Sequence, residues 1–237
     1  MSENPPGEAS PPPSADAQTL YDSMSTLRAV RRLRPDPIPE AVLQRVLQAA
    51  VWAPSGGNVQ PWRVVVVRDA ERKTGLRDLY RPEWQKYAKG YAARLEGLDA
   101  KERGKQERTL AAGDRLADRL DQAPAILIFC FNPKLMAITD AGLDRPSIVG
   151  GGSVYPAIQN CLLACRAEGL GCTLTTLLCL KEGEVKKLLG IPDDWYTCAA
   201  VPIGYPELGG HGPIHRRPVS TMAFEDTWGE AWNGESE

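Results

Sequence analysis

The chain has only two histidines, His211 and His215, and both fall in a late Gly/Pro-rich stretch. That argues against a His-rich metal site. No apolar run approaches the roughly 18 residues of a membrane span. The first 17 residues are acidic and Pro/Ser-rich, without an apolar h-region, so they read as a disordered tail and not a secretory signal. There is no excess of basic charge: 28 Lys and Arg stand against 30 Asp and Glu, which disfavours a general nucleic-acid binder. No G-x-G-x-x-G opens a helix after a strand and no Walker lysine motif occurs, so neither a Rossmann dinucleotide site nor a P-loop is supported. The six cysteines, Cys130, Cys161, Cys165, Cys172, Cys179 and Cys198, form no C-x-x-C pair and lie in apolar runs. Buried free thiols in a reducing cytoplasm are the expectation. No internal repeat is visible.

Apolar spacing predicts a helix over residues 18–33, with Arg28, Arg31 and Arg32 sharing one face at i, i+3 and i+4. Pro35, Pro37 and Pro39 break it, and Pro39 opens a second helix carrying Val42, Leu43, Val46, Leu47, Ala50 and Val51. Then comes Ala53-Pro54-Ser55-Gly56-Gly57-Asn58-Val59-Gln60-Pro61-Trp62. Taken alone, this stretch reads either as a Gly-rich helix-to-strand turn or as a rigid, backbone-lined ligand shelf. Residues 63–68 form a short apolar run bounded by arginines, the pattern of a strand covered on both faces. A short helix is expected at 71–79, two or three charged surface helices over 82–122, and a second buried strand at 125–131. A polar, flexible loop (140–152), whose Gly150-Gly151-Gly152 reads as an anion site or simply a connection, leads to a third strong helix at 153–168. A strand over 173–178, a helix over 184–189 and a last strand over 197–203 follow. Helices alternating with strands give an α/β or α+β class in one domain.

Arg28, Arg31 and Arg32 suit a phosphate but equally a solvated basic face. Thr175 and Thr176 are explained by strand propensity or by a ligand. Arg216 and Arg217 form another late basic cluster.

In combination, these features resemble the nitroreductase family of FMN-dependent oxidoreductases. The resemblance rests on an arginine-bearing segment, Pro-Asp-Pro-x-Pro, the Ala-Pro-Ser-Gly-Gly-Asn-x-Gln-Pro-Trp stretch and the apolar strand. It continues with Pro156-Ala157-Ile158-Gln159-Asn160, Arg166-Ala167-Glu168-Gly169-Leu170-Gly171, Leu188-Leu189-Gly190-Ile191-Pro192 and Ile203-Gly204-Tyr205-Pro206. It covers roughly residues 20–220. The resemblance implies an α+β sandwich with a central, mostly antiparallel sheet flanked by helices, in an intertwined homodimer holding two FMN at its interface. The domain would span residues 18–220, with 82–122 as a helical lid and 221–237 as a C-terminal extension.

It also implies that Arg28 and Arg31 hold the FMN phosphate and ribityl chain, helped by Arg216 or Arg217. Ser55 and Gly56 reach the flavin from the other subunit, Asn58 and Gln60 belong to the same cofactor loop, and Gly57 lines the substrate space. Thr175 and Thr176 lie along the isoalloxazine edge, with Thr176 the candidate donor to N5. The usual Arg-Arg-Ser-x-Arg pattern is here Leu27-Arg28-Ala29-Val30-Arg31, which leaves the backbone N–H of Ala29 in place of a serine hydroxyl. The implied chemistry is ping-pong: NADH or NADPH reduces the flavin, then a nitroaromatic, quinone or similar small aromatic acceptor takes the electrons. No side chain is expected to be a catalytic acid or base, and no metal, nucleic-acid or membrane partner is expected.

Sibling families give alternatives. Iodotyrosine deiodinases place a glutamate, a tyrosine and a lysine on a lid over the flavin. Here Glu83 and Tyr87 stand one turn apart, as candidate substrate contacts, with Lys105 and Arg108 later, although Gln60 replaces the expected glutamate. A solvated amphipathic helix explains the same spacing. Flavin destructases usually lack the Gly-Gly-Asn-x-Gln arrangement. A flavin-storing or flavin-sensing protein without turnover is the non-enzymatic alternative.

Overall fold

The computed structural model describes residues 15–92, 95 and 97–232. In chain order the helices are α1 (Ala15–Thr26), α2 (Glu40–Val51), α3 (Ala70–Ala92), α4 (Ala100–Arg119), α5 (Tyr155–Ala167) and α6 (Glu182–Leu189). The strands are β1 (Trp62–Val67), β2 (Ala125–Phe131), β3 (Gly171–Cys172) and β4 (Tyr196–Gly204), joined in the order β1-β2-β4-β3 with every pairing antiparallel.

Strand β2 organises the layers, because all of its residues are buried. Successive side chains of a strand point to opposite faces. Ala125, Leu127, Phe129 and Phe131 accordingly join one apolar cluster with α2 and α5. Ile126, Ile128 and Cys130 join a second cluster with α3, α4 and α6. The sheet is sandwiched between two helical layers, and the α+β expectation is met. All six cysteines are free. No helix among the described residues is long and apolar enough to cross a membrane.

Four local expectations fail for tertiary reasons. The first helix stops at Thr26, so Arg28, Arg31 and Arg32 share no helical face. Residues 28–34 run extended instead: Val30 N–H donates to Cys172 O (2.8 Å), Arg34 N–H to Tyr205 O (2.8 Å) and Glu207 N–H to Arg32 O (3.0 Å). Gly171 permits this approach, since a Cβ there would stand 2.6 Å from Val30 Cγ1. Sheet-edge pairing overrides the helical spacing.

The short helix expected over 71–79 does not stop before Pro82. α3 runs through it, because Leu76, Tyr80, Glu83 and Trp84 are buried on either side of it. Nor is 82–122 all surface, since Trp84, Leu116, Ala117 and Leu120 are core. The threonine strand is displaced: β3 ends at Cys172, Thr175 makes one bridge to Ala200, and a 3-10 turn (Leu177–Lys181) follows. Of the tail expected over 1–17, residues 1–14 lie outside the described residues and 15–17 open α1. Residues 233–237 of the C-terminal extension also lie outside them.

The connection over 140–152 is tied down. Buried Asp140 accepts from Ile148 N–H (2.7 Å), Val149 N–H (3.2 Å), Ser147 Oγ (2.7 Å) and Arg145 Nη1 (2.9 Å). The Ile148 and Ser147 bonds hold its carboxyl well below the usual carboxylate range. A carboxylate depressed by folding stabilises fully above its ordinary value of about 3.9 and loses that contribution as pH falls through the acid range. Asp140→Asn is therefore expected to lower the melting temperature at pH 7 and narrow the gap between variant and wild type towards pH 3. Thermal melts across that range check it.

Candidate functional site

A cavity of about 290 Å³ opens between the N-terminal strip, α3, α4 and the 173–177 segment. That is at the small end of ligand pockets. Its polar side carries Arg31, Thr175 and Thr176. Extended residues 28–34 deliver Arg31, which is half-buried. Among the described residues its guanidinium has no hydrogen bond and no carboxylate partner; it interacts electrostatically with the Tyr80 phenol. A desolvated cation without a counter-charge is costly, so this is the position in the cavity most in need of an anion or a polar ring edge.

Thr175 is held by reciprocal backbone bonds with Ala200 (2.9 and 2.8 Å), and its hydroxyl lies 3.4 Å from the Tyr80 hydroxyl. Burial pushes the Tyr80 phenol up, so it stays neutral, and it accepts from Thr175 Oγ1. Thr176 caps the following 3-10 turn, accepting from Cys179 N–H (3.0 Å). Its exposed hydroxyl has no partner among the described residues.

The opposite wall is aromatic. Tyr80, Trp84, Tyr87 and Tyr91 recur at i, i+4, i+7 and i+11 along α3 and all line the cavity. Trp84 and Tyr87 have ring centroids 5.6 Å apart, and Tyr87 and Tyr91 6.1 Å. Two polar tips are tied to α4: Trp84 Nε1–H donates to Asp114 Oδ1 (2.7 Å) and Tyr91 OH to Gln106 Oε1 (2.6 Å). Tyr87 is half-exposed and untied. Gly113 on α4 seats the tryptophan, since a Cβ there would stand 2.0 Å from Trp84 Cζ2. Gly113→Ala should improve helix propensity by about 1 kcal/mol, yet a net loss of about 1–3 kcal/mol from overpacking is expected. Urea denaturation measures the loss, and near-ultraviolet dichroism reports the displaced indole.

The other residues singled out from the sequence fall as follows. Glu83 is buried on α3 but does not line the cavity; it pairs with Lys86 (2.8 Å) and Lys181 (3.8 Å), and the Lys86 bond draws its pKa down. Arg28 is exposed at the strip's start, its Nε donating to Pro213 O (3.0 Å). Ala29 bridges Cys172. Arg216 and Arg217 are exposed, and Arg216 Nη1 donates to its neighbour's carbonyl at His215 (2.9 Å).

The 53–62 stretch forms a hydrogen-bonded shelf built on a 3-10 turn at Gly56–Asn58. Gly57, Asn58 and Gln60 all have positive φ (60°, 55° and 48°), which is strained for a residue such as glutamine. Its own side chains hold it. Ser55 Oγ accepts from Gln60 N–H (3.0 Å), and Gln60 Nε2 donates to Asn58 O (3.2 Å) and Oδ1 (3.1 Å). Gly56 N–H reaches Ser153 Oγ (3.4 Å) at the entrance to α5. Open space surrounds Gly56, where a Cβ would meet nothing within 4 Å. None of these loop residues lines the cavity of its own chain.

Of the aromatic wall only Tyr87 is expected from the sequence, although Tyr80, Trp84, Tyr87 and Tyr91 recur at four- and three-residue spacing. Asp140, Ser153 and His211 carried no comparable signal.

The chain was compared with known proteins. It is 31% identical over 202 residues to an NADH dehydrogenase of Thermus thermophilus, covering 83% of this chain and 91% of that protein. It is 31% identical over 204 residues to a 5,6-dimethylbenzimidazole synthase of Rhodobacter capsulatus, covering 84% and 91%. The structure of an oxidized iodotyrosine deiodinase bound to FMN and 3-iodo-L-tyrosine superposes with a TM-score of 0.63 at 25% identity, over 84% of this chain and 95% of that one. The profile of the nitroreductase family matches residues 26–205. With that match spanning most of its length, the chain belongs to the nitroreductase family of oxidoreductases.

Proposed function

We propose that this protein is an FMN-dependent oxidoreductase that uses NADH or NADPH to reduce small aromatic acceptors, such as nitroaromatics and quinones, by a ping-pong mechanism. The observation that carries the reading is Arg31: a half-buried guanidinium without a counter-ion among the described residues, beside two threonine hydroxyls and facing an aromatic wall. A flat conjugated ring with a polar edge satisfies both sides of that cavity at once, so the residues fit the cofactor. When bound, FMN supplies the hydride-accepting and electron-donating chemistry. The chain supplies position and electrostatics. Arg31 is assigned to the flavin's polar edge and ribityl chain, Thr175 to the ring edge and Thr176 to a hydrogen bond at N5. Arg28 is assigned to the phosphate, with Arg216 or Arg217 as helpers and Ala29 offering its backbone. Aromatic side chains of α3 exclude water from the ring and present a stacking surface to the acceptor.

The shelf over 55–60 lies away from the cavity of its own chain, and a second copy in a homodimer supplies it. Ser55 and Gly56 then reach the flavin of the partner, Gly57 leaves substrate room above it, and Asn58 and Gln60 keep the shelf in shape. An apolar face supports the dimer: Leu20, Met24, Val51 and Trp52 are exposed, and Leu20, Trp52 and Leu163 bound an open groove of about 380 Å³. Six free thiols suit a reducing compartment such as the cytoplasm.

The runner-up is reductive dehalogenation, favoured by the likeness to the deiodinase structure and by Tyr87 on the cavity wall. Against it, Glu83 is spent on two lysines outside the cavity. An acceptor screen with the pre-reduced protein separates the readings. Rapid reoxidation by nitroaromatics or quinones is expected; halide release from iodinated or brominated phenols, with neither of those acceptors active, would replace this reading with the second.

A further inference from the structure

After β4 the chain turns back through Gly209 and Gly210, both left-handed (φ 52° and 67°). A Cβ at Gly210 would come within 2.7 Å of Pro206, so the turn depends on that glycine. Beyond it the tail lies along the end of α1 and the start of the extended strip. Gly212 N–H donates to Thr26 O (2.9 Å) and Ile214 N–H to Ser25 O (3.0 Å).

His211 locks this joint. Its Nε2 lies 2.8 Å from Leu170 O, and its Nδ1 is 3.2 Å from Arg28 N–H. A carbonyl only accepts and an amide N–H only donates. The two partners therefore select the neutral imidazole with its proton on Nε2. The next residues set the side chain of Arg28. Pro213 O accepts from both Nε and Nη2 of its guanidinium. Gly212 lies flat against it, where a Cβ would stand 3.4 Å from Arg28 Cζ. With Nε and Nη2 of the guanidinium held by the tail, its Nη1 makes no hydrogen bond among the described residues.

We propose that His211 is a positioning residue for the cofactor phosphate: its neutral imidazole docks the tail, and the docked tail aims the guanidinium of Arg28. This rests on the reading of Arg28 as a phosphate ligand. The charged residues beside the imidazole are Arg166 on α5, whose Nε donates to Thr26 Oγ1 (2.8 Å) and whose charge opposes protonation, and Arg28 on the strip, which meets the ring through its backbone N–H. Both are cations, and no carboxylate pairs with His211 among the described residues. A proton at Nδ1 would turn the acceptor for Arg28 N–H into a second donor and add a third positive charge. Burial, and then Arg166, also lower the pKa of His211, against the raising effect of the Leu170 bond. Docking is thus complete above the ordinary histidine value of about 6.5 and weakens as pH falls below it.

The test is binding of FMN, and of riboflavin, to the flavin-free full chain, followed by quenching of flavin fluorescence between pH 5 and 8. Riboflavin carries the same ring and ribityl chain without the phosphate. His211→Gln retains an amide donor for Leu170 O but loses the Nδ1 acceptor. It is expected to weaken FMN about tenfold at pH 7.5, one hydrogen bond's worth, while riboflavin changes less than about twofold on the same scale. Its FMN profile below pH 6.5 should retain only the titration of the phosphate itself. His211→Asn places a non-titrating oxygen near the Nδ1 position but loses the donor to Leu170 O, so its FMN affinity at pH 7.5 should fall between the Gln variant and wild type, with that same shallow profile. Equal weakening of FMN and riboflavin in His211→Gln, or unchanged FMN binding, overturns the proposal. If the Gln variant does not fold, an Asn variant with the full wild-type pH profile overturns it instead. Arg28→Ala separates the two levels: unchanged FMN binding there removes the phosphate reading itself, whereas weakened binding there with a silent His211→Gln removes only the role of His211.

Discussion

Replacing Arg31 with alanine is expected to strip flavin from the protein, raising the FMN dissociation constant by about 10- to 100-fold, the range for a charge-assisted hydrogen bond. The guanidinium is half-buried against the cavity, lies near the Tyr80 phenol and has no carboxylate partner among the described residues. Removing it from the flavin-free chain relieves an uncompensated cation, so the melting temperature of the apoprotein should hold or rise. That combination, weaker cofactor binding with intact apoprotein stability, distinguishes a ligand from a structural arginine. Arg31→Lys keeps the charge but loses the planar fork, and should fall between the two. Flavin content after gel filtration and calorimetric melts of the apoproteins read the result.

Trp52→Asp is expected to split the proposed dimer and release the flavin together. Trp52 caps the end of α2 and is 75% exposed, beside exposed Val51 and only three residues before the Ser55 shelf. A large aromatic at the centre of an interface contributes at least about 2 kcal/mol, or about thirtyfold in the dimer dissociation constant, and a buried carboxylate adds to that loss. Because the shelf is assigned to the flavin of the partner, cofactor retention should follow the dimer fraction. Light scattering with simultaneous absorbance near 450 nm measures both. A monomeric variant that keeps its flavin would show that one chain builds the whole site.

The two covered faces of β2 and the apolar faces of α2 and α5 were legible in the sequence, because burial leaves a period that can be counted. The conformation of residues 27–34 was not. Helical spacing of Arg28, Arg31 and Arg32 is real, but backbone bonds to Cys172, Tyr205 and Glu207, up to about 180 residues away, decide the outcome. The helix expected over 71–79 differs in the opposite sense: α3 continues past Pro82, whose local cost is exceeded by the burial of Tyr80 and Trp84 on either side of it. In the shelf, glycines at 56 and 57 signalled an unusual backbone, and Gly57 indeed has φ 60°. Positive φ at Gln60, sustained by the bonds its side chain donates to Asn58, had no such mark in the residue type. The tail clasp at His211 depends on contacts with Arg28 and Leu170 that no local pattern encodes.

The central claim is that this cavity holds FMN and that a nicotinamide nucleotide reduces it there. Anaerobic addition of NADH, and separately NADPH, to the purified flavin-loaded protein tests it in one absorbance trace. Bleaching of the band near 450 nm by at least one of them, reversed on adding a quinone, is the expected result. A protein that holds flavin but is bleached by neither nucleotide would contradict the reductase reading and leave a flavin carrier in its place.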